Sequence, residues 1–244
     1  MRKAYWLTII LMSLLLLLVI GAYRPLIVTG SIVGAQTDGI RFSPPKEVPQ
    51  LTNNTPLHSA VLAGVPINVV VDFNYDRGTG SKIAIIRDGK DYGVGDTKID
   101  DNKLAIRRDM DPAAPDGVYM VKYTSCQLNG SCDEGAFQFA LDRSKAAAFT
   151  DLRGQKEVVI DLKNYAFDPR NTLVSKGTKV TWKNGDDDTH FVNTDPHPEH
   201  SYYRAMNSKA LEKGDTFALT FDKPGIYPYH CSAHTSMTGT LIVS

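Results

Sequence analysis

Gly225-Ile226-Tyr227-Pro228-Tyr229-His230-Cys231-Ser232-Ala233-His234-Thr235-Ser236-Met237 holds the most informative chemistry in this chain. Its first half reads as a β-strand. Tyr227, Tyr229 and Cys231 fall on one face and His230 on the other, because strand side chains alternate. The second half spaces a thiol, an imidazole and a thioether as C-x2-H-x2-M. A soft thiolate, an imidazole and a weak thioether suit a copper ion that cycles between two oxidation states. Such a site needs a second imidazole. His190, which follows the turn-rich Asn184–Asp188 stretch after a Trp182 strand, is the candidate. By strand parity His230 stays off this metal and is expected to be an outward-facing polar group.

The other two cysteines leave Cys231 unpaired. Cys126 and Cys132 flank Gln127-Leu128-Asn129-Gly130-Ser131, in which Asn-Gly is a strong hairpin turn. Neither His nor Met lies nearby, so a disulfide is favoured over a metal site. In an oxidising compartment the two are close enough in sequence to pair. There a solitary thiol calls for an explanation, and copper ligation supplies one.

The N-terminus agrees with that compartment. Arg2 and Lys3 precede an apolar run from Ala4 to Ile20. The run exceeds a signal-peptide core of roughly 7–15 residues and approaches the about 20 residues of a membrane span. Its length favours an uncleaved anchor over a cleaved signal. The basic pair places the N-terminus on the cytoplasmic side and the rest of the chain outside. Lys and Arg total 27, as do Asp and Glu, and no region is basic enough for a nucleic-acid partner.

Glycine- and proline-punctuated short segments point to an all-β chain. Strands are expected at Ile67–Phe73, Lys82–Arg87, Lys103–Arg107, Val118–Tyr123 and Ala136–Leu141. A second series is Glu157–Leu162, Lys179–Lys183, Thr216–Phe221, Gly225–Cys231 and Thr238–Val243. Val180 and Trp182 share one face, and Phe217, Leu219 and Phe221 another. The expected organisation is an anchor or signal over 1–22 and a proline-bearing spacer over 23–55. A β-sandwich follows over 56–143, then a hinge-like linker over 144–155 and a second sandwich over 156–244.

Residues 156–244 resemble a cupredoxin of the plastocyanin and amicyanin type. The likeness rests on Tyr165-Ala166-Phe167-Asp168-Pro169, Gly177–Trp182, the His190 region, Asp222-Lys223-Pro224-Gly225-Ile226-Tyr227, and Cys231–Met237 followed by Thr238-Gly239-Thr240. It implies a Greek-key fold and one type 1 copper on His190, Cys231, His234 and Met237. It also implies that His234 lies near the surface as the electron port.

Residues 56–143 resemble a periplasmic copper-resistance (CopC-like) domain with an immunoglobulin-like fold. Leu57-His58-Ser59-Ala60, Val69–Phe73, Gly117-Val118-Tyr119-Met120-Val121 and Gly135-Ala136-Phe137-Gln138-Phe139 carry this likeness. The family's cupric Asp-Gly-His turn is Asn129-Gly130-Ser131 here, so its metal site does not carry over and His58 is expected to be an ordinary residue.

Electron transfer between membrane-associated redox partners, respiratory enzymes among them, is the leading expectation. Copper delivery, homeostasis or resistance is the alternative. A trinuclear oxidase centre needs His-x-His pairs and a His directly after the Cys, whereas Ser232 follows Cys231. Asp195-Pro196-His197-Pro198-Glu199-His200 offers two imidazoles and two carboxylates that could hold a second metal, but a proline-shaped surface loop near the copper end is favoured, and His197 and His200 do not assemble a type 2 centre within one chain. The Asp186-Asp187-Asp188 run reads as a solvated turn, or as a dock for a basic partner.

Overall fold

The computed structural model describes residues 39–244. The expected anchor over 1–22 lies outside them. Among the described residues no helix is long and apolar enough to cross a membrane.

Among the described residues four sheets form two sandwiches. The first sandwich packs Leu51–Thr55, Asn68–Phe73, Ala105–Met110 and Gly93–Ile99 against a sheet of Val61–Leu62, Cys132–Leu141, Gly117–Cys126, Lys82–Arg87 and Lys90–Asp91. The second packs Ala166–Asp168, Glu157–Lys163, Lys179–Asn184 and Thr216–Thr220 against Thr150–Asp151, Asn171–Val174, Thr238–Val243, Gly225–His230 and Asn193–Thr194. The long strands follow the alternation in the sequence. In Glu157–Lys163, Val158, Ile160 and Leu162 are buried while the residues between them are exposed. With Glu157, Asp161 and Lys163 on one face and Val158, Ile160 and Leu162 on the other, one register buries a core.

Two faces read as separate are one. Trp182 lies directly across from Phe217, and Val180 from Leu219, so all four turn to the same core. Directly paired residues on neighbouring strands project to the same side of a sheet. The Trp182 and Phe217 rings stack with centroids 5.7 Å apart.

The Asn68–Phe73 strand explains how the sandwiches join. All six of its residues are buried. Val69, Val71 and Phe73 enter the first core, whereas Val70 joins the second with Ile67 and Ala105. A strand covered on both faces tolerates a near-continuous apolar run, which Asn-Val-Val-Val-Asp-Phe supplies. Polar contacts finish the junction. The Tyr202 hydroxyl accepts from the Ile67 amide at 2.8 Å and donates to the Ile226 carbonyl at 2.7 Å. Arg107 holds Asp100 through two nitrogens at 2.5 Å each and reaches the Ser201 carbonyl at 2.9 Å. The described residues accordingly form one compact unit.

Two connecting segments are more ordered than their sequences suggest. Within the expected spacer over 23–55, Leu51–Thr55 is a strand of the first sandwich and Val48 is buried in its core. The expected linker carries a short 3-10 turn at Arg143–Ala148, begun by Asp142, and a strand at Thr150–Asp151 that pairs with Asn171–Val174. Phe149 and Ala146 pack beside Ala63, Ile226 and Ile242. Apolar side chains in both stretches have somewhere to go, which composition alone does not show.

The Cys126–Cys132 disulfide is present, closing the hairpin at a directly paired position. The Gly130 turn that allows it has φ +86°, the region glycine enters without steric cost. His58 braces the same sheet, its Nδ1 accepting the Gln138 amide at 3.2 Å.

Candidate metal centre

Cys231 follows the Gly225–His230 strand directly and is wholly buried, as Met237 nearly is. The loop between them is wound by three backbone bonds. Cys231 N donates to Met237 O at 2.9 Å, His234 N to Cys231 O at 3.1 Å, and Met237 N to His234 O at 2.8 Å. Spacings of three and three residues therefore become two tight turns that return the chain to Thr238, which pairs with His230. His234 is left partly exposed at the tip.

His190 arrives from beyond the Lys179–Asn184 strand, which belongs to the other sheet of the same sandwich. Buried Asn184 organises its loop, donating to the carbonyls of Asp188 and Leu211 at 2.8 Å each and accepting from the Asp186 amide at 2.9 Å. His190 and Leu211 then exchange backbone bonds of 3.1 and 2.9 Å. His190 Nδ1 and His234 Nδ1 each stand 3.6 Å from Cys231 Sγ and 3.2 Å from one another. Ligand bonds of about 2.0–2.1 Å to nitrogen and about 2.3 Å to sulfur place donors on one ion roughly 3.3–3.8 Å apart. The three atoms thus already stand close to a shared coordination sphere.

Residues 155–244 match the copper-binding plastocyanin/azurin family. A purple cupredoxin from Nitrosopumilus maritimus is 30% identical, over 36% of this chain and 99% of that one, with a TM-score of 0.33. Over residues 155–244 the chain is matched by the cupredoxin family model. It is also similar to halocyanin of Natronomonas pharaonis, 37% identical over 101 residues, which is 38% of this chain. The match spans 60% of that halocyanin's length. CopC from Methylosinus trichosporium OB3b is similar at 26% identity, over 38% of this chain and 92% of that one, with a TM-score of 0.35.

The His190, Cys231 and His234 donor set fits the single type 1 copper of a cupredoxin. Its surroundings hold two of the donors, Cys231 and His190, in place. The Phe191 amide donates to Cys231 Sγ at 3.3 Å. Asp186 Oδ2 lies 2.9 Å from His190 Nε2. A carboxylate there takes the Nε2 proton and leaves the Nδ1 lone pair facing the centre.

Asp186 also accepts from the amides of Asn164 at 2.8 Å and Tyr165 at 3.0 Å, both with positive φ. Burial would push its carboxyl up, but the Tyr165 and Asn164 amides and His190 together hold it below the ordinary carboxylate range. The Asp186–Asp188 run is therefore not a simple solvated turn. Asp188 accepts from the Tyr165 hydroxyl, and Asp187 pairs with Lys213 at 2.6 Å. The Tyr165 ring stands edge-on to His190 and His234, centroids 5.7 and 4.9 Å away. Sequence reasoning missed Asp186 and Tyr165 as parts of the site. A carboxylate four residues before a candidate ligand was the available signal for Asp186.

His230 departs from expectation. It is only 3% exposed and meets His197 and His200, with all three ligand atoms within 4.8 Å of one another. Strand parity does turn it away from Cys231, but the 195–200 loop covers that side. Burial lowers the pKa of His200, and repulsion from His230 and His197 lowers it further.

Proposed function

We propose that this protein is an extracytoplasmic one-electron carrier whose copper is held by His190, Cys231, His234 and Met237. The observation that carries the reading is the convergence of two imidazole nitrogens on a buried sulfur that accepts an amide hydrogen bond. Copper, when bound, supplies a couple that gains or loses one electron.

The chain's own contribution is to hold the donors still. Asn184 and the His190–Leu211 bridge fix His190, the two tight turns fix Cys231 and Met237, and Asp186 sets the His190 ring. A set of ligands that cannot relax toward either oxidation state's preferred geometry keeps reorganisation small. Partly exposed His234 is the place where an electron enters or leaves. The Cys126–Cys132 disulfide supports an oxidising compartment, and the apolar segment after Arg2 and Lys3 supports attachment to a membrane close to redox partner proteins.

Copper-loaded protein is expected to show an intense visible thiolate-to-copper absorption and a reversible one-electron couple. Cys231→Ser is expected to abolish the absorption. A variant that keeps the band refutes the assignment.

Copper delivery is the second reading, motivated by the sequence resemblance of the first sandwich. Fast electron self-exchange supports the carrier. Rapid copper transfer to an acceptor, with sluggish exchange, supports delivery.

A further inference from the structure

Three imidazoles gather on the far side of the strand that delivers Cys231. His230 Nε2 lies 3.2 Å from His200 Nε2 and 3.3 Å from His197 Nδ1. Metal–nitrogen bonds of about 2.0–2.1 Å at tetrahedral angles set nitrogens roughly 3.3–3.4 Å apart. Both separations fall close to that value.

Hydrogen bonding among the rings accounts for the cluster poorly. Asp195 Oδ1 lies 3.0 Å from His230 Nδ1. The carboxylate accepts the Nδ1 proton, so Nε2 carries the single in-plane lone pair. That lone pair faces two further ring nitrogens at once. One ring N–H can satisfy it, and if that comes from His197 then His200 Nε2 has only Ser232 Oγ, at 3.0 Å, to turn to. One cation satisfies all three. A carboxylate behind an imidazole that points its other nitrogen at a shared centre is also the usual outer support of a metal-bound histidine.

We infer that His197 Nδ1, His200 Nε2 and His230 Nε2 form a second metal site, distinct from the Cys231 centre, that takes a divalent copper ion. The donor set is all imidazole, which suits copper and zinc, and copper binds such ligands more tightly. No fourth His, Cys or carboxylate joins the group among the described residues. His197 is exposed, so the remaining position opens to solvent and accepts water or a small anion. Ser232 Oγ, 3.0 Å from His200 Nε2 and 2.6 Å from Asn193 Nδ2, forms the rim.

The placement distinguishes this site from an adventitious surface histidine patch. His230 and Cys231 are neighbours in sequence and point to opposite faces, so one covalent path joins the two centres. Two imidazoles from the 195–200 loop fell short of a type 2 centre in sequence; the third comes from the strand.

The test is metal stoichiometry and spin resonance on the protein loaded with cupric ion. Wild type is expected to bind two copper ions per chain, one blue and one with a nitrogen-only type 2 spectrum. The double variant His197→Ala/His200→Ala is expected to bind one and to keep the blue band, which also reports that it folds. Cys231→Ser is expected to lose the blue band yet retain the type 2 signal, so this site and the Cys231 assignment fail separately. Sodium azide is expected to shift the type 2 spectrum of both wild type and Cys231→Ser. A wild-type stoichiometry of one, a type 2 signal that survives the double variant, or a signal indifferent to azide would overturn the inference.

Discussion

Asp72→Asn is expected to abolish a pH dependence built into the junction between the sandwiches. Asp72 is 2% exposed, on the strand shared by both cores, and accepts from Ser201 Oγ at 2.9 Å. Burial pushes its carboxyl up to about 7; the Ser201 bond opposes this, Glu199 adds to it, Arg107 opposes it and Asp100 adds to it. The folded value lies above the ordinary carboxylate value of 3.8, so between the two the folded chain holds a proton that the unfolded chain has released. Stability from this proton is full below about 4 and is lost as pH rises through about 7. From pH 5 to pH 8 the linkage integral amounts to about 2.5 kcal/mol. Asparagine is neutral throughout and can still accept from Ser201. Urea denaturation of both proteins at each pH measures the difference. The variant is expected to gain about 2.5 kcal/mol relative to wild type between pH 5 and pH 8. A wild-type-minus-variant difference that does not change with pH refutes the reasoning, because contributions from all other groups cancel in it.

Asp186→Asn removes the charged acceptor from His190 Nε2 and weakens the hold on the Asn164–Tyr165 turn. Copper affinity, measured by chelator competition, is expected to fall roughly 10- to 100-fold, with the blue band retained at saturation. Gly239→Ala places a methyl 2.4 Å from Cζ of Tyr229, two residues before Cys231. Tyr229 is buried between Trp182 and Phe167 and has little room to retreat, so a loss of about 1–3 kcal/mol is expected on denaturation.

Many strands of both sandwiches were legible because they alternate an exposed, mostly polar face with a buried, mostly apolar one. Lys82–Arg87 and Thr238–Val243 fall where the alternation places them, and the remaining predicted strands differ by a few residues at their ends. Segments with a single buried side chain per turn of sequence were harder. Val48 and Phe149 lie in stretches whose prolines, polar residues or alanines suggested a spacer and a hinge, and both are buried or packed because a neighbouring sheet offers them cover.

The copper loop could be read from one stretch because its thiolate, one imidazole and its thioether lie within seven residues, where chain connectivity alone keeps them together. His190 was reachable by chemistry, since a copper centre of this kind needs another imidazole. The second cluster was out of reach. Alternation says that His230 faces away from Cys231, but not whether that face meets water or the 195–200 loop. The same holds for Asp72, a polar residue in an apolar strand, and for Asp186 within an acidic run. Sequence determines which side of an element a side chain takes. Only tertiary packing determines what stands opposite it, and desolvation and the partners found there decide whether a His or an Asp becomes a ligand, a brace or a proton store.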